Sequence, residues 1–175
     1  TLEEQQENEE EIWNLLEQAV RGACIKFVET REQEGENLKR DLLLKLDEML
    51  SLVAVVEERS PEIVQEYRQK LEQKVRELLS DSQMDEGRIA TEVTIFADKI
   101  CVDEETVRLK SHIEAMKTAL IAGGSIGRKL DFIAQEMNRE ANTTLSKAND
   151  LKLSDCAIDL KTGIEKVREQ IQNLE

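Results

Sequence analysis

One proline and seven glycines in 175 residues leave little in this chain that would stop a helix. Leu, Ile, Glu, Lys, Ala and Gln recur throughout, and their side chains, mostly unbranched, give up little rotamer freedom on entering one. Apolar residues return at helical spacing: Ile12, Leu15, Leu16, Ala19, Ala23 and Phe27, with Lys26 in the same stripe, then Leu38, Leu42, Leu46, Met49 and Val53. Nothing reads as a strand and no internal repeat is visible. The expected fold is all-α: long antiparallel helices forming a helical bundle with an extended helical arm.

The breaks between helices are expected where capping and turn residues gather. Residues 1–11, mostly Glu and Gln, have little to bury, so a firm helix is expected from Ile12, with Gly35 a weak break that leaves either two helices or one bent one. Ser60 followed by Pro61 reads as a fresh start, a hydroxyl cap and a proline at the first helical position, with that helix ending near Leu79. Asp81, Ser82 and Asp85 form a polar break, followed by Ile89, Val93, Phe96 and Ile100 at helical spacing. Asp103 is the expected cap of a helix carrying Leu109, Ile113, Met116 and Leu120, and Gly123, Gly124 and Ser125 should end it and cap its successor. The last helix is expected from Ser154 to about Leu174 on Ile158, Lys161, Ile164, Val167 and Ile171. Two regions result: an N-terminal helical arm over 1–82, shaped as a helical hairpin, and a C-terminal helical domain over 83–175.

Charge narrows the possible partners. The net charge is −14, which opposes nonspecific coating of nucleic acid or an anionic membrane. Residues 125–175 hold eight basic and nine acidic side chains, so they are nearly neutral and can carry local positive sites. Cys24, Cys101 and Cys156 are far apart and in no CxxC pair, which suggests reduced thiols rather than zinc or a disulfide framework. With no apolar run near the roughly 20 residues a membrane span needs, and no signal-peptide pattern, a cytoplasmic location is expected. The chain begins at Thr1 without Met and is expected to be a fragment or processed product.

The most informative segment is the polar helix expected from Gly127 to Asp150. On a helical wheel Ile126, Leu130, Ile133, Met137, Ala141 and Thr144 form one stripe, with Ala134 and Leu145 at its edge. Opposite lie Arg128, Asp131, Gln135, Asn138, Arg139, Asn142 and Ser146. Asn and Ser cost helix propensity, so Asn138, Asn142, Thr143 and Asn149 in one helix suggest that their side chains have another task. Two readings stand: a polar contact between helices or subunits, or a recognition surface. On the flank of the stripe, Lys129, Glu136, Glu140 and Lys147 line up, and two carboxylates one turn apart can serve as hard ligands for a divalent cation or simply pair with the lysines.

The preceding helix has a matching flank in Glu105, Arg108 and His112, the chain's one histidine. A lone helical histidine is more often structural than catalytic. Brought together by the Gly123–Ser125 turn, however, a His, three carboxylates and two or three cations suit metal-assisted or acid–base attack on a phosphodiester. A di-iron carboxylate bundle is excluded, because Leu109 stands where its Glu-x-x-His motif needs Glu.

The segments GRKLDFIAQEMNREANTTLSKAND (127–150) and IEKVREQIQNLE (164–175) resemble the C-terminal signature of the YicC-like endoribonuclease family. The resemblance extends through ATEVTIFADKICVDEETVRLKSHIEAMK (90–117) and, more loosely, TREQEGENL (30–38). It implies a bacterial cytoplasmic ribonuclease, dependent on a divalent metal (Mn or Mg), that cleaves structured hairpin RNA and assembles as a hexameric ring with a clamshell motion. It also implies a further N-terminal region, opening on a Met-Thr-Gly-Tyr-Gly type segment, so the chain is expected to be the helical C-terminal portion.

Carried over position by position, the implied polar residues are Glu105, Arg108, His112, Arg128, Asp131, Gln135, Glu136, Asn138, Arg139, Glu140, Asn142 and Lys147. His112, Glu105, Glu136 and Glu140 are the expected catalytic residues, with His112, Glu136 and Glu140 as metal ligands. Arg108, Arg128, Lys129, Arg139, Asn138, Asn142 and Lys147 are the expected RNA contacts. The alternative is a non-catalytic helical assembly or RNA-binding module, in which the Asn- and Arg-rich face makes subunit contacts. A bare coiled-coil scaffold ranks third, since it needs no Asn cluster.

Overall fold

The computed structural model describes residues 9–79 and 85–172, all but the linking segments in five helices: α1 (Glu9–Leu79), α2 (Glu86–Ile100), α3 (Asp103–Ala122), α4 (Gly127–Lys147) and α5 (Leu151–Ile171). The all-α expectation holds, and no strand occurs among the described residues. The chain divides into two units, Thr1–Arg40 and Asp41–Glu175. The expected arm boundary at 82/83, the Asp81–Ser82 part of the polar break, the expected end at Leu174 and most of the Glu- and Gln-rich start lie outside the described residues.

The helical hairpin expected over 1–82 is instead one helix, α1. Gly35 does not interrupt it, and Pro61 lies inside it rather than starting a new one. An interior proline loses a hydrogen bond and crowds the preceding turn, at about 3 kcal/mol. What offsets this is burial on both sides of the proline: Val56 and Ile63 belong to one apolar cluster with Ile100, Val102, Leu153 and Cys156. Ser60 caps nothing; its Oγ is buried without a hydrogen-bond partner.

In the first unit the apolar stripe read from the sequence is present but uncovered. Ile12, Leu15, Leu16, Ala19, Ala23 and Phe27 are all exposed, as are Trp13 and Val20 beside them.

The second unit is an antiparallel bundle. Lys117 bonds Asp47 and Lys110 bonds Glu57, so α3 runs antiparallel to α1. Gln170 donates to Asp41 while Arg59 donates to Asp150, so α5 does too. α4 packs between α3 and α5. Four of the helices turn a row of fully buried side chains inward: Leu42, Leu46 and Met49 from α1, Leu109, Ile113 and Met116 from α3, Leu130 and Met137 from α4, Leu160 and Ile164 from α5. α2 lies against α1, where Phe96 stacks on Tyr67 with ring centroids 3.8 Å apart.

Two expected caps and one expected helix start move. Asp103 is the first helical residue of α3, and Val102 occupies the cap position without a side-chain hydrogen bond. Val102 is anchored by its burial in the apolar cluster, which leaves Asp103, Glu104 and Glu105 to complement the positive end of the helix. Ser125 likewise yields the cap position of α4 to Ile126, and α4 ends at Lys147 rather than Asp150. α5 starts before Ser154 because Asp150 caps it, accepting the Leu153 N–H at 3.1 Å. Ile158, expected on its apolar stripe, is exposed, and Cys156, Ala157 and Leu160 carry that face instead. The Gly123–Gly124 turn is as expected: both adopt positive φ, where a Cβ would crowd the backbone.

Candidate functional site on the α3–α4 seam

Two ion pairs set the register of α3 against α4. Near one end Lys147 Nζ donates to Glu105 Oε1 at 2.8 Å, and also to the Cys101 carbonyl at 2.9 Å. One turn further along α3, Arg108 Nη1 lies 3.6 Å from Glu140 Oε1, while its Nη2 donates to Glu104 at 2.8 Å. The carboxylates of this seam are buried: Glu105 is 6% exposed and Glu140 5%. Their burial follows from the wheel, because positions 105 and 140 sit at the edge of the apolar stripes that bring the helices together. A buried carboxylate is tolerated when a cation and hydrogen bonds meet it, and here Lys147 and Arg108 supply them. Glu105 Oε2 remains buried without a partner.

The same antiparallel register puts residues 112 and 136 at one level of the seam. His112 and Glu136 are both half-buried, and neither makes a hydrogen bond or ion pair with another described residue. The flank expected from sequence is therefore assembled, but in pairs. Among the described residues, no three His, Cys, Asp or Glu side chains gather closely enough to hold a metal ion, so His112, Glu136 and Glu140 do not form a closed three-ligand cage.

The other polar residues of α4 divide between two neighbours and solvent. Asn138 Nδ2 donates to Glu165 Oε1 of α5 at 3.0 Å, and Arg168 Nε donates to Asp131 Oδ1 at 3.1 Å. Gln135 donates to Asp131 Oδ2. This part of the polar face is a contact between helices, one of the two readings that the sequence allows. Arg128, Lys129, Arg139 and Asn142 are exposed. Glu165 and Arg168 lie within the 164–175 segment that carries the family resemblance, but the sequence gives neither a role, because that depends on which residue of α4 they meet.

Below the seam, Arg59 joins α1 to the α4–α5 turn. It donates to Asp150 Oδ2 at 2.9 Å and to both oxygens of Glu66. The Arg59 guanidinium holds the Asp150 carboxyl below the usual carboxylate range, helped by the Leu153 N–H.

The described donors suit a hard divalent cation by type, two carboxylates and an imidazole, but not by number in one place. Mg²⁺ is commonly held by one or two carboxylates together with substrate phosphates. Glu136 and Glu140, one turn apart on α4, are the two carboxylates that could share a cation with a bound phosphate.

Residues 56–175 match the family described as endoribonuclease YicC-like, C-terminal. Over 175 residues the chain is 45% identical to a protein of Clostridioides difficile named probable endoribonuclease YicC. Over 174 residues it is 35% identical to one of Haemophilus influenzae with the same name. Each alignment covers 99% of this chain and 60% of the relative, so the chain spans about three-fifths of the length of these proteins.

Proposed function

Because the chain belongs to the YicC-like endoribonuclease family, we propose that it is the C-terminal portion of a metal-dependent endoribonuclease that cleaves structured hairpin RNA at the α3–α4 seam. The observation that carries this reading is the pair His112 and Glu136, half-buried and unengaged by any described residue, beside the buried Glu140. Half-buried and reached by solvent, these two groups make no hydrogen bond or ion pair with a described residue, which leaves them available for a task in the reaction.

In this mechanism the imidazole of His112 accepts the proton of the attacking oxygen as the P–O bond to the leaving oxygen breaks, and the leaving oxygen takes its proton from solvent. Glu136 and Glu140 would hold Mn²⁺ or Mg²⁺, and the chemistry such an ion would supply is polarisation of a phosphoryl oxygen. Arg108 keeps free N–H donors beyond its bonds to Glu104 and Glu140 and meets a phosphate from the solvent side. Lys147 positions Glu105. Arg128, Lys129 and Arg139 hold the backbone of the RNA further along α4, with Asn142 beside them; Asn138 acts through Glu165.

The protein acts with further copies of itself, a hexamer being the expected assembly, in the cytoplasm. The exposed Trp13, Leu16, Val20 and Phe27 of the first unit favour a covering partner. No helix among the described residues is long and apolar enough to cross a membrane.

The alternative of an assembly or RNA-binding module without chemistry draws support from the Asn138–Glu165 and Asp131–Arg168 contacts, which spend part of the polar face on packing. Incubation of the chain with a labelled hairpin RNA, with Mn²⁺ or Mg²⁺ and with EDTA, separates the two. Cleavage that requires the metal and disappears in His112→Ala supports the nuclease; a stable oligomer that leaves the RNA intact supports the module.

A further inference from the structure

The outer face of α4 holds a line of side chains that the seam does not use. Arg128, Phe132, Gln135, Arg139, Asn142 and Ser146 recur at alternating steps of four and three, which places them in one straight row along the helix. All six are exposed. The row is about 27 Å long at 1.5 Å per residue. It contains two arginines and no carboxylate, on a chain whose net charge is −14. Asp131 lies at its edge, and that charge is met by Arg168 and Gln135. Glu136 and Glu140 lie on the α3 side instead.

Phe132 is the unexpected member. It is 62% exposed, and among the described residues from Asp41 onward it is the one exposed aromatic, Tyr67 and Phe96 being stacked on each other. Its neighbours one turn back and two turns on are Arg128 and Arg139, and neither guanidinium group bonds another described residue. An aromatic ring standing in water between two free guanidinium groups is the arrangement that receives a nucleic-acid base, because the ring stacks on any base while the cations meet the phosphates on either side. A base paired within a duplex cannot reach such a ring, so the nucleotide it takes is unpaired.

Building on the ribonuclease reading, we propose that Phe132 is a base-stacking platform which takes an unpaired nucleotide of the RNA, with Arg128 and Arg139 on the flanking phosphates. The outer row of α4 then distinguishes a looped or bulged RNA from a continuous duplex. This is a specificity role; the reacting phosphodiester stays with His112 and Glu136 on the adjacent flank.

The test is equilibrium binding by fluorescence anisotropy, using the full chain carrying His112→Ala so that no RNA is consumed. The probes are a labelled hairpin with an unpaired loop and a blunt duplex of the same stem. Adding Phe132→Ala should weaken hairpin binding by about five- to a hundredfold, the range expected when a base-stacking aromatic is truncated, and change duplex binding by less than about twofold. Phe132→Trp should restore hairpin binding. A 2-aminopurine in the loop should be quenched on binding to the chain that keeps Phe132 and not on binding to the Phe132→Ala variant. Unchanged hairpin affinity, equal losses on hairpin and duplex, or a change in the molar mass of Phe132→Ala in solution would overturn the proposal, the last because the ring would then be covered by protein. Failure here is separable from failure of the nuclease reading. A chain that binds the loop through Phe132 but never cleaves contradicts only the nuclease, and one that cleaves equally well with Phe132→Ala contradicts only the stacking role.

Discussion

Lys147 Nζ donates to Glu105 Oε1 at 2.8 Å and to the Cys101 carbonyl at 2.9 Å, so one ammonium joins the last turn of α4 to the entry of α3. The contact closes the end of the seam remote from the Gly123–Gly124 turn. It also supplies the counter-charge that lets Glu105 be buried.

Lys147→Met keeps the aliphatic stem and leaves that carboxylate without its partner. Breaking a buried pair from one side costs about 3–5 kcal/mol when both ions are buried; the Lys147 side chain is 33% exposed, so about 2 kcal/mol is expected. Urea denaturation measures it. Glu105→Gln added to the same chain should recover more than half of the loss, and a Lys147→Met midpoint equal to wild type would mean that the pair contributes nothing.

Acid should weaken the link between α1 and the α4–α5 turn. The Asp150 carboxyl is lowered chiefly by its bond from Arg59, then by the Leu153 N–H. A folded value below the unfolded one, about 3.9, means that the stabilisation is complete above about pH 4 and is lost as pH falls through the folded value. Asp150→Asn keeps a capping side chain and loses the charge pair. Thermal melts should therefore separate wild type from Asp150→Asn at about pH 7 and bring them together near pH 2. Asp150→Ala should lose about 1 kcal/mol more, from the missing cap.

The chemistry should depend on His112 and Glu136 without the fold depending on them, since neither has a partner among the described residues. His112→Ala or Glu136→Ala should lower metal-dependent RNA cleavage by about 10²- to 10⁴-fold, the usual contribution of a positioned acid or base. The circular dichroism spectrum and melting temperature should match wild type. A variant with full activity removes that residue from the mechanism.

In the first unit, Gly22 and Gly35 sit within α1 with nothing near enough to meet an added Cβ. Alanine at either position should stabilise the local helix by about 0.5–1 kcal/mol through lost backbone freedom in the unfolded state. Slower amide hydrogen exchange over residues 12–40 is the readout; unchanged or faster exchange would show that the glycine serves a contact with another chain.

Much of the bundle was legible because its signals are local. The stripes Leu42–Leu46–Met49–Val53, Leu109–Ile113–Met116 and Leu130–Ile133–Met137–Ala141 are all buried, and periodicity alone predicts that. The flank residues of α3 and α4 were legible for the same reason: a wheel places Glu105, Glu140 and Lys147 beside an apolar stripe, and a two-glycine turn folds one helix back on the other. Ser60–Pro61 misled because a local start signal competed with burial on both sides of it, and burial was the larger effect. Ile158 misled because a near-heptad spacing on α5 gives no account of which neighbour each residue meets.

Helix type, the apolar face of most helices and the family to which the polar helix belongs can all be read along one chain, because each is a matter of spacing and residue order. How the polar groups are shared out cannot, and it emerged only when the helices packed. Asn138 and Asp131 were drawn to Glu165 and Arg168, Glu105 to Lys147 and Glu140 to Arg108, while His112 and Glu136 were left without a partner among the described residues and Phe132 stood in solvent. A hydrogen bond or ion pair forms only within about 3–4 Å. Which groups come that close depends on the antiparallel register of separate helices, and no residue carries that register in its own identity.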